Sequence, residues 1–291
     1  MTHSIQILVL GLALGGVYAL MASGLTLIFG VMGIVNLAHA AFMTVAAYLS
    51  FWAFSRYGLD PIVSIVVVMP VMFFLGLVIY QLLFARSFGD PRARAMSVLL
   101  TFALALVIEG VLGFLFTNIY RSTTPGYAAS ALLFGPYYLP EAQCYATVMS
   151  MAILGLLWAF LQFTRTGYAV RATMQNRTAA QVVGVNVGRI SMLVFGIGMA
   201  LAGASGSMMS FLFPFYPGKH WEWVAVLLSL VVLGGMGSLL GALIGALCLA
   251  VVSAYVSSFY GPTWSPVTFY LALFLILLIR PQGLLGKRPE M

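Results

Sequence analysis

The sequence predicts an all-α polytopic membrane protein, with about eight transmembrane helices and one re-entrant or broken segment. Several apolar runs reach the roughly 20 residues a helix needs to cross hydrocarbon. Hydrophobic residues make up 63% of the chain and charged residues only 7%, against about one quarter charged in a soluble domain. Gly, Ala, Leu and Met fill the runs without polar and apolar alternation, which argues against a β-barrel. Residues 1–291 form one transmembrane domain on this reading.

The first run, 5–29, starts almost at Met1 and is not followed by an A-x-A site and a polar mature segment, so it is a retained span and not a signal peptide. The others are 37–55, 61–84, 95–118, 142–163, 190–213, 237–258 and 265–280, with a shorter apolar arm at 223–233. Short outer loops are expected, bordered by Trp52, Tyr57, Tyr137, Tyr138, Trp221, Trp223, Tyr260 and Trp264 as an interfacial aromatic belt.

Charge sets the orientation. Arg86, Arg92 and Arg94, then Arg165, Arg171, Arg177 and Arg189, then Arg280, Lys287 and Arg288 fall on one side, leaving Arg56, Arg121 and Lys219 on the other. The bias of basic residues makes the first side cytoplasmic, with the N-terminus outside and the C-terminus inside. The stretch between spans 190–213 and 265–280 must then start and finish outside. It does so if the arm 223–233 turns back at LGGMGS (233–238) into span 237–258, which is the predicted broken element.

FGVMG at 29–33 and LGGMG at 233–237 are glycine-interrupted segments in opposing halves. They point to an internal inverted repeat with a central site, or only to close helix packing. Asn36 is placed to cap the helix after GVMG, with His39 one turn on and facing inward. The break either lines a cavity at depth or is an ordinary turn at the membrane edge. No second ligand falls at helical spacing from His39, so a metal role is disfavoured. In GGMGSLLGALIG (234–245), the small residues either face a pore or let two helices touch. Glu109 lies well inside a span, and its default reading is a functional or interhelical hydrogen-bonding carboxylate. A proton role lacks a visible relay partner.

The loop 164–189 is the main candidate for a partner contact. A helix from Tyr168 to Val183, stopped by Gly184, would offer Ala169, Ala172, Ala179, Ala180 and Val183 as a small apolar surface. That surface suits docking of another protein more than burial in anionic lipid.

Other chemistries have no footing. The two cysteines, Cys144 and Cys248, suggest neither a disulfide framework nor a metal site. The net charge of +7 is spread among topology signals without the aromatic-interleaved basic array of a nucleic-acid binder. No G-x-x-x-x-G-K-[ST] loop is present, so the chain has no phosphate cradle of that kind, and no nucleophile, base and acid set marks an enzyme.

Four segments carry a resemblance: LIFGVMGIVNLAHAAFMTVAAY (27–48), RTGYAVRATMQNRTAAQVVGVNVGRI with SMLVFGIGMALAGASGSMMS (165–210), VLLSLVVLGGMGSLLGALIGAL (226–247) and LILLIRPQGLLG (275–286). In this order they resemble the permease subunits of bacterial ABC importers for branched-chain (hydrophobic) amino acids, closer to the first of the two related membrane subunits. The resemblance implies no cofactor on this chain. It implies a homologous second permease, two cytoplasmic ATPases that use ATP and magnesium, an extracytoplasmic solute-binding protein, and a place in the inner membrane. Asn36, Ala38, His39, Gly234, Gly235 and Gly237 would lie near the substrate path. Gly167, Arg171, Gln175, Asn176, Ala179, Ala180 and Gly184 would belong to a cytoplasmic coupling loop, 164–189, gripped by an ATPase.

Two departures stand out: Gln175 and Asn176 replace a frequent acidic pair, and Ala40 replaces a frequent glycine. Importers of urea, short amides and other small polar compounds share the architecture and are the alternative reading. An ATP-independent channel or carrier is a further one.

Overall fold

Apolar runs bounded by glycine, proline and short polar residues become helices whose backbone groups are satisfied internally, as lipid requires. The computed structural model describes residues 2–85, 93–280 and 282–286. Arg86, Arg92, Lys287 and Arg288, used in the charge argument, lie outside them. The helices are α1 (Thr2–Met32), α2 (His39–Tyr57), α3 (Pro61–Ile79, prolonged by a π-helical turn, Tyr80–Phe84), α4 (Ala93–Phe116), α5 (Glu141–Phe163), the short α6 (Arg165–Gln175) and α7 (Arg177–Val182), then α8 (Val187–Leu212), α9 (His220–Gly234), α10 (Leu239–Tyr260) and α11 (Ser265–Ile279).

Seven of these are long and apolar enough to cross a membrane: α1, α3 with its π-turn, α4, α5, α8, α10, and α11 with the turn before it. The eighth expected span is α2, 19 residues long, whose His39, Tyr48, Ser50 and Arg56 dilute its hydropathy. At 15 residues α9 is about 22 Å long, short of the roughly 30 Å hydrocarbon core. It is the incomplete element.

Local chemistry sets the ends. Asp60 Oδ1 accepts the Ile62 amide at 2.8 Å, and Pro61 opens α3 where no donor is missed. Gly58, at φ 65°, closes α2 in the left-handed conformation that glycine reaches without strain.

The core lies along α1 and α8. In each, 67% of the apolar stretch is buried, against 11–39% in the other candidate spans. Small residues let the backbones approach. A Cβ on Gly206 of α8 would overlap the Met43 carbonyl oxygen of α2, and one on Gly198 would meet Ile28 of α1 at 2.6 Å. Helices α1 and α10 run antiparallel, as shown by Gly11 against Val251, Gly15 against Leu247 and Gly30 against Gly237. With α2 packed on α9, the two glycine-broken helix pairs face each other, an arrangement that suggests a repeat.

The segment between α4 and α5 departs from the short outer loops expected. It holds an antiparallel hairpin, β1 (Ala131–Phe134) and β2 (Tyr137–Pro140), which Gln6 of α1 pins by accepting the Tyr138 amide at 3.0 Å and donating to the Tyr138 carbonyl. Arg121 and Phe215 exchange backbone hydrogen bonds at 2.8 and 2.9 Å, tying this segment to the one between α8 and α9. The aromatic belt also needs correction. Trp52, Tyr57, Tyr138, Tyr260 and Trp264 are exposed, but Trp223 is buried, and Trp221 donates to a carboxylate. Neighbouring rings and a long-range acceptor draw both inward.

Candidate functional site

The chain leaves α1 at Met32 and turns back into the bundle before α2. In this connection Ile34, Asn36 and Ala38 are buried. Thr101 of α4 reaches it, its Oγ1 accepting the Leu37 amide at 3.2 Å. The N-cap of α2 is Ala38, which makes no side-chain cap. Asn36 acts one step earlier than expected: its Oδ1 accepts the Ala38 amide at 3.1 Å, closing an Asx turn. His39, 1% exposed, fills the crossing of α1 and α8, where a Cβ on Gly24 would lie 2.8 Å from both His39 Cε1 and the Gly198 carbonyl oxygen. The ring approaches the Met21 carbonyl outside hydrogen-bond geometry, so Nδ1 and Nε2, like Asn36 Nδ2, have no hydrogen-bond partner among the described residues. Three buried polar groups thus sit where the helix is broken, an arrangement that costs free energy.

Gly234, Gly235 and Gly237 form the tip of the α9–α10 hairpin. Gly234 packs on Gly241 so closely that a Cβ on either would overlap the other's backbone. Gly235 and Gly237, at φ 100° and 85°, make the turn, and Ser238 Oγ accepts the Gly241 amide at 3.1 Å to start α10. The segment after α11 closes this tip: Leu284 N donates to the Leu233 carbonyl at 2.8 Å and Leu285 N to the Gly234 carbonyl at 3.2 Å. Carbonyls left bare at the end of α9 are thereby satisfied. His39 and Gly237 stand apart on α1. His39 abuts Gly24 while Gly237 abuts Gly30, about 9 Å apart along the α1 axis and on different faces of that helix.

A Cβ on Gly30 would also lie 2.5 Å from Met174 Cε, so α6 and the hairpin tip share one end of the bundle. The loop 164–189 forms two helices and not the single one expected. The backbone is extended at Asn176 (φ −154°, ψ 108°), which ends α6 and starts α7 by accepting the Ala179 amide at 2.9 Å. Thr164 caps α6 through the Gly167 amide at 2.9 Å. Gly167 is pressed against the Phe160 and Leu161 carbonyls of α5. Arg171 bonds Gln162 and lies 4.9 Å from the Tyr168 ring centre. Ala180 is buried and not presented, while Val182 and Val183 are 82% and 77% exposed. Gln175 and Ala179 are also exposed, and Gly184 turns the chain at φ 89°.

Glu109 faces the start of α9. Its Oε2 accepts from Trp221 Nε1 at 2.9 Å and lies 4.0 Å from His220 Nε2. His220 Nδ1 is 2.9 Å from the Pro217 carbonyl. Sequence reasoning singled out Glu109 but not its partners His220 and Trp221, which lie far away in the chain. No group of three His, Cys, Asp or Glu that could hold a metal occurs among the described residues.

The fold is that of a polytopic membrane protein with an incomplete helix hairpin. Residues 7–279 match the family model described as "Branched-chain amino acid transport system / permease component", and the chain belongs to this family. Among similar proteins is the high-affinity branched-chain amino acid transport system permease protein LivH of Salmonella typhimurium, 29% identical, covering 96% of this chain and 94% of the relative. The corresponding protein BraD of Pseudomonas aeruginosa is 27% identical over 99% of this chain and 97% of its own. One solved structure, "PsaBC from Streptococcus pneumoniae in complex with Fab", aligns with TM-score 0.50 and 15% identity over 94% of this chain and 91% of that one. That likeness concerns the fold alone. A permease component of this family conducts solute and is not itself an enzyme.

Proposed function

We propose that the chain is one of a pair of membrane subunits of an ATP-driven importer that carries branched-chain amino acids inward by alternating access. The observation carrying this reading is the family match across residues 7–279. The second permease, the two ATPases with their ATP and magnesium, and an extracytoplasmic binding protein are its expected partners. The basic end, with α6 and α7, is cytoplasmic on this reading, and the inner membrane is its place.

The geometry supports a division of labour. Exposed Val182 and Val183 beside Gln175 and Ala179 form the face an ATPase would grip. Motion of α6 would reach α1 at Gly30 and the hairpin tip at Gly237 through Met174. Buried His39, at the α1–α8 crossing, and Asn36, in the connection just before it, would be uncovered as those helices shift, offering their unpaired groups to the solute.

The test is uptake of labelled L-leucine into proteoliposomes holding the complete transporter and its binding protein, with and without internal ATP. Uptake that needs ATP, the ATPases and the binding protein is expected. Leucine transport by this chain alone, or cysteine labelling that places residues 165–189 outside, would overturn the reading.

A further inference from the structure

We infer that the cavity between α1, α9 and α11, at the end opposite α6, is a receiving site for a free amino acid zwitterion. Resting on the transport reading above, this assigns a solute site distinct from Asn36 and His39.

The cavity holds about 220 Å³ and is lined by Tyr18, Phe213, Lys219, Glu222, Trp223 and Phe269 among others. This is below the roughly 300–1,000 Å³ of pockets that take drug-sized ligands, so it suits a small solute. Its walls are aromatic: Phe213 and Trp223 ring centres lie 5.1 Å apart, Tyr18 and Phe269 5.5 Å, Tyr18 and Trp223 6.1 Å. Such rings offer apolar contact to a branched side chain and negative faces to an ammonium group.

Both charges a zwitterion needs are present at one rim. Lys219 Nζ pairs with Glu222 Oε2, and their side chains are 23% and 47% exposed, so both are reachable from outside. Trp223 is 7% exposed, and its indole Nε1–H, itself shielded from solvent, has no hydrogen-bond partner among the described residues. A buried donor without an acceptor is costly, and a turn of the ring toward the cavity it lines would bring that donor to a solute carboxylate. The carboxylate meets Lys219 and Trp223, the ammonium meets Glu222, and the side chain lies against the rings. Pockets elsewhere in the bundle, such as that between α2 and α4 or that between α10 and α11, have no charged side chain in their lining and so offer a zwitterion no opposite charges.

Position supports the assignment. Tyr18 stands about 18 Å along α1 from Gly30, so the cavity lies at the entry side of the bundle and not beside the coupling helices. The same first turn of α9 turns Trp221 toward Glu109 and Trp223 into the cavity, so a solute that pulls on Trp223 also loads the contact between α4 and α9.

The experiment is calorimetric titration of the complete detergent-solubilised transporter, without binding protein, using L-leucine, isoamylamine (leucine lacking its carboxylate) and 4-methylpentanoate (leucine lacking its ammonium). L-leucine is expected to bind at least about tenfold more tightly than either analogue. Lys219→Gln should reduce only the preference over isoamylamine, Glu222→Gln only that over 4-methylpentanoate, and Trp223→Phe should weaken leucine about tenfold. A merely structural ion pair would not produce this split. No leucine binding by the wild type, or binding that none of the three substitutions alters, overturns the inference. Should Trp223→Phe not assemble, the two rim variants decide it by themselves. Uptake of leucine by wild-type proteoliposomes without binding at this cavity sinks this inference alone, whereas absence of any branched-chain amino acid uptake sinks the reading beneath it.

Discussion

Glu109 Oε2 accepts a hydrogen bond from Trp221 Nε1 at 2.9 Å, and this contact ties α4 to the first turn of α9. An intramembrane carboxylate otherwise suggests a proton pathway, but here the carboxylate has a structural partner and stands next to an imidazole.

Glu109→Gln keeps an acceptor for Trp221 and should leave leucine uptake within about twofold across pH 6 to 8. Glu109→Leu leaves the indole donor unsatisfied and should lower unfolding stability by about 1–3 kcal/mol. Thermal unfolding in detergent, paired with uptake, separates the two. A steep change in the pH profile of Glu109→Gln would instead assign Glu109 to proton movement.

His39→Phe replaces an imidazole whose nitrogens have no hydrogen-bond partner among the described residues; apolar replacement of an unsatisfied group is near neutral or stabilising, so its melting temperature should hold or rise. Asn36→Leu also removes the acceptor of the buried Ala38 amide and should cost about 1–3 kcal/mol. Uptake should fall about tenfold or more if these groups meet solute, since one charge-assisted hydrogen bond contributes about 1.5–3 kcal/mol. Preserved uptake in both variants would leave the broken helix without a transport role.

Gly206→Leu forces a side chain into the Met43 carbonyl at the crossing of α2 and α8. Overpacking of this kind costs about 1–3 kcal/mol or more, and the folded yield in detergent should drop accordingly. Gly110, whose added Cβ meets nothing, is the control: Gly110→Leu should express normally.

Gly184→Pro demands φ near −65° where the chain adopts 89°. ATP hydrolysis by the assembled complex should continue while uptake is lost. Asn176→Ala removes the cap of α7, costs about 1 kcal/mol, and should weaken the same coupling more mildly. Both are read as the ratio of solute moved to ATP consumed.

Helix positions were legible because lipid leaves few alternatives: long apolar runs become helices, and the shortness of α9 follows from the distance between Lys219 and the glycines at 234–237. The proposed repeat was visible in two glycine breaks, which the packing of Gly30 on Gly237 brings together. The division of α6 from α7 had a local signal, Asn176 followed by three residues able to start a helix, which the continuous alanine pattern masked. The inward turn of Trp221 and Trp223 was not read from the sequence, although Glu109 was marked as a carboxylate seeking an interhelical partner. Belt tryptophans and buried ones share one composition, and the partners that draw these two inside include Glu109, Phe102 and Tyr18, all distant in sequence, beside the nearer Phe213.

The amides of Leu284 and Leu285 close the carbonyl end of α9, so a helix made earlier is finished by residues that leave the ribosome much later. During synthesis the hairpin must wait in the bilayer with that end open. A stop codon shortly after Ile279 would therefore discard no span, yet would strand the nascent protein in an uncapped state that membrane proteases can recognise.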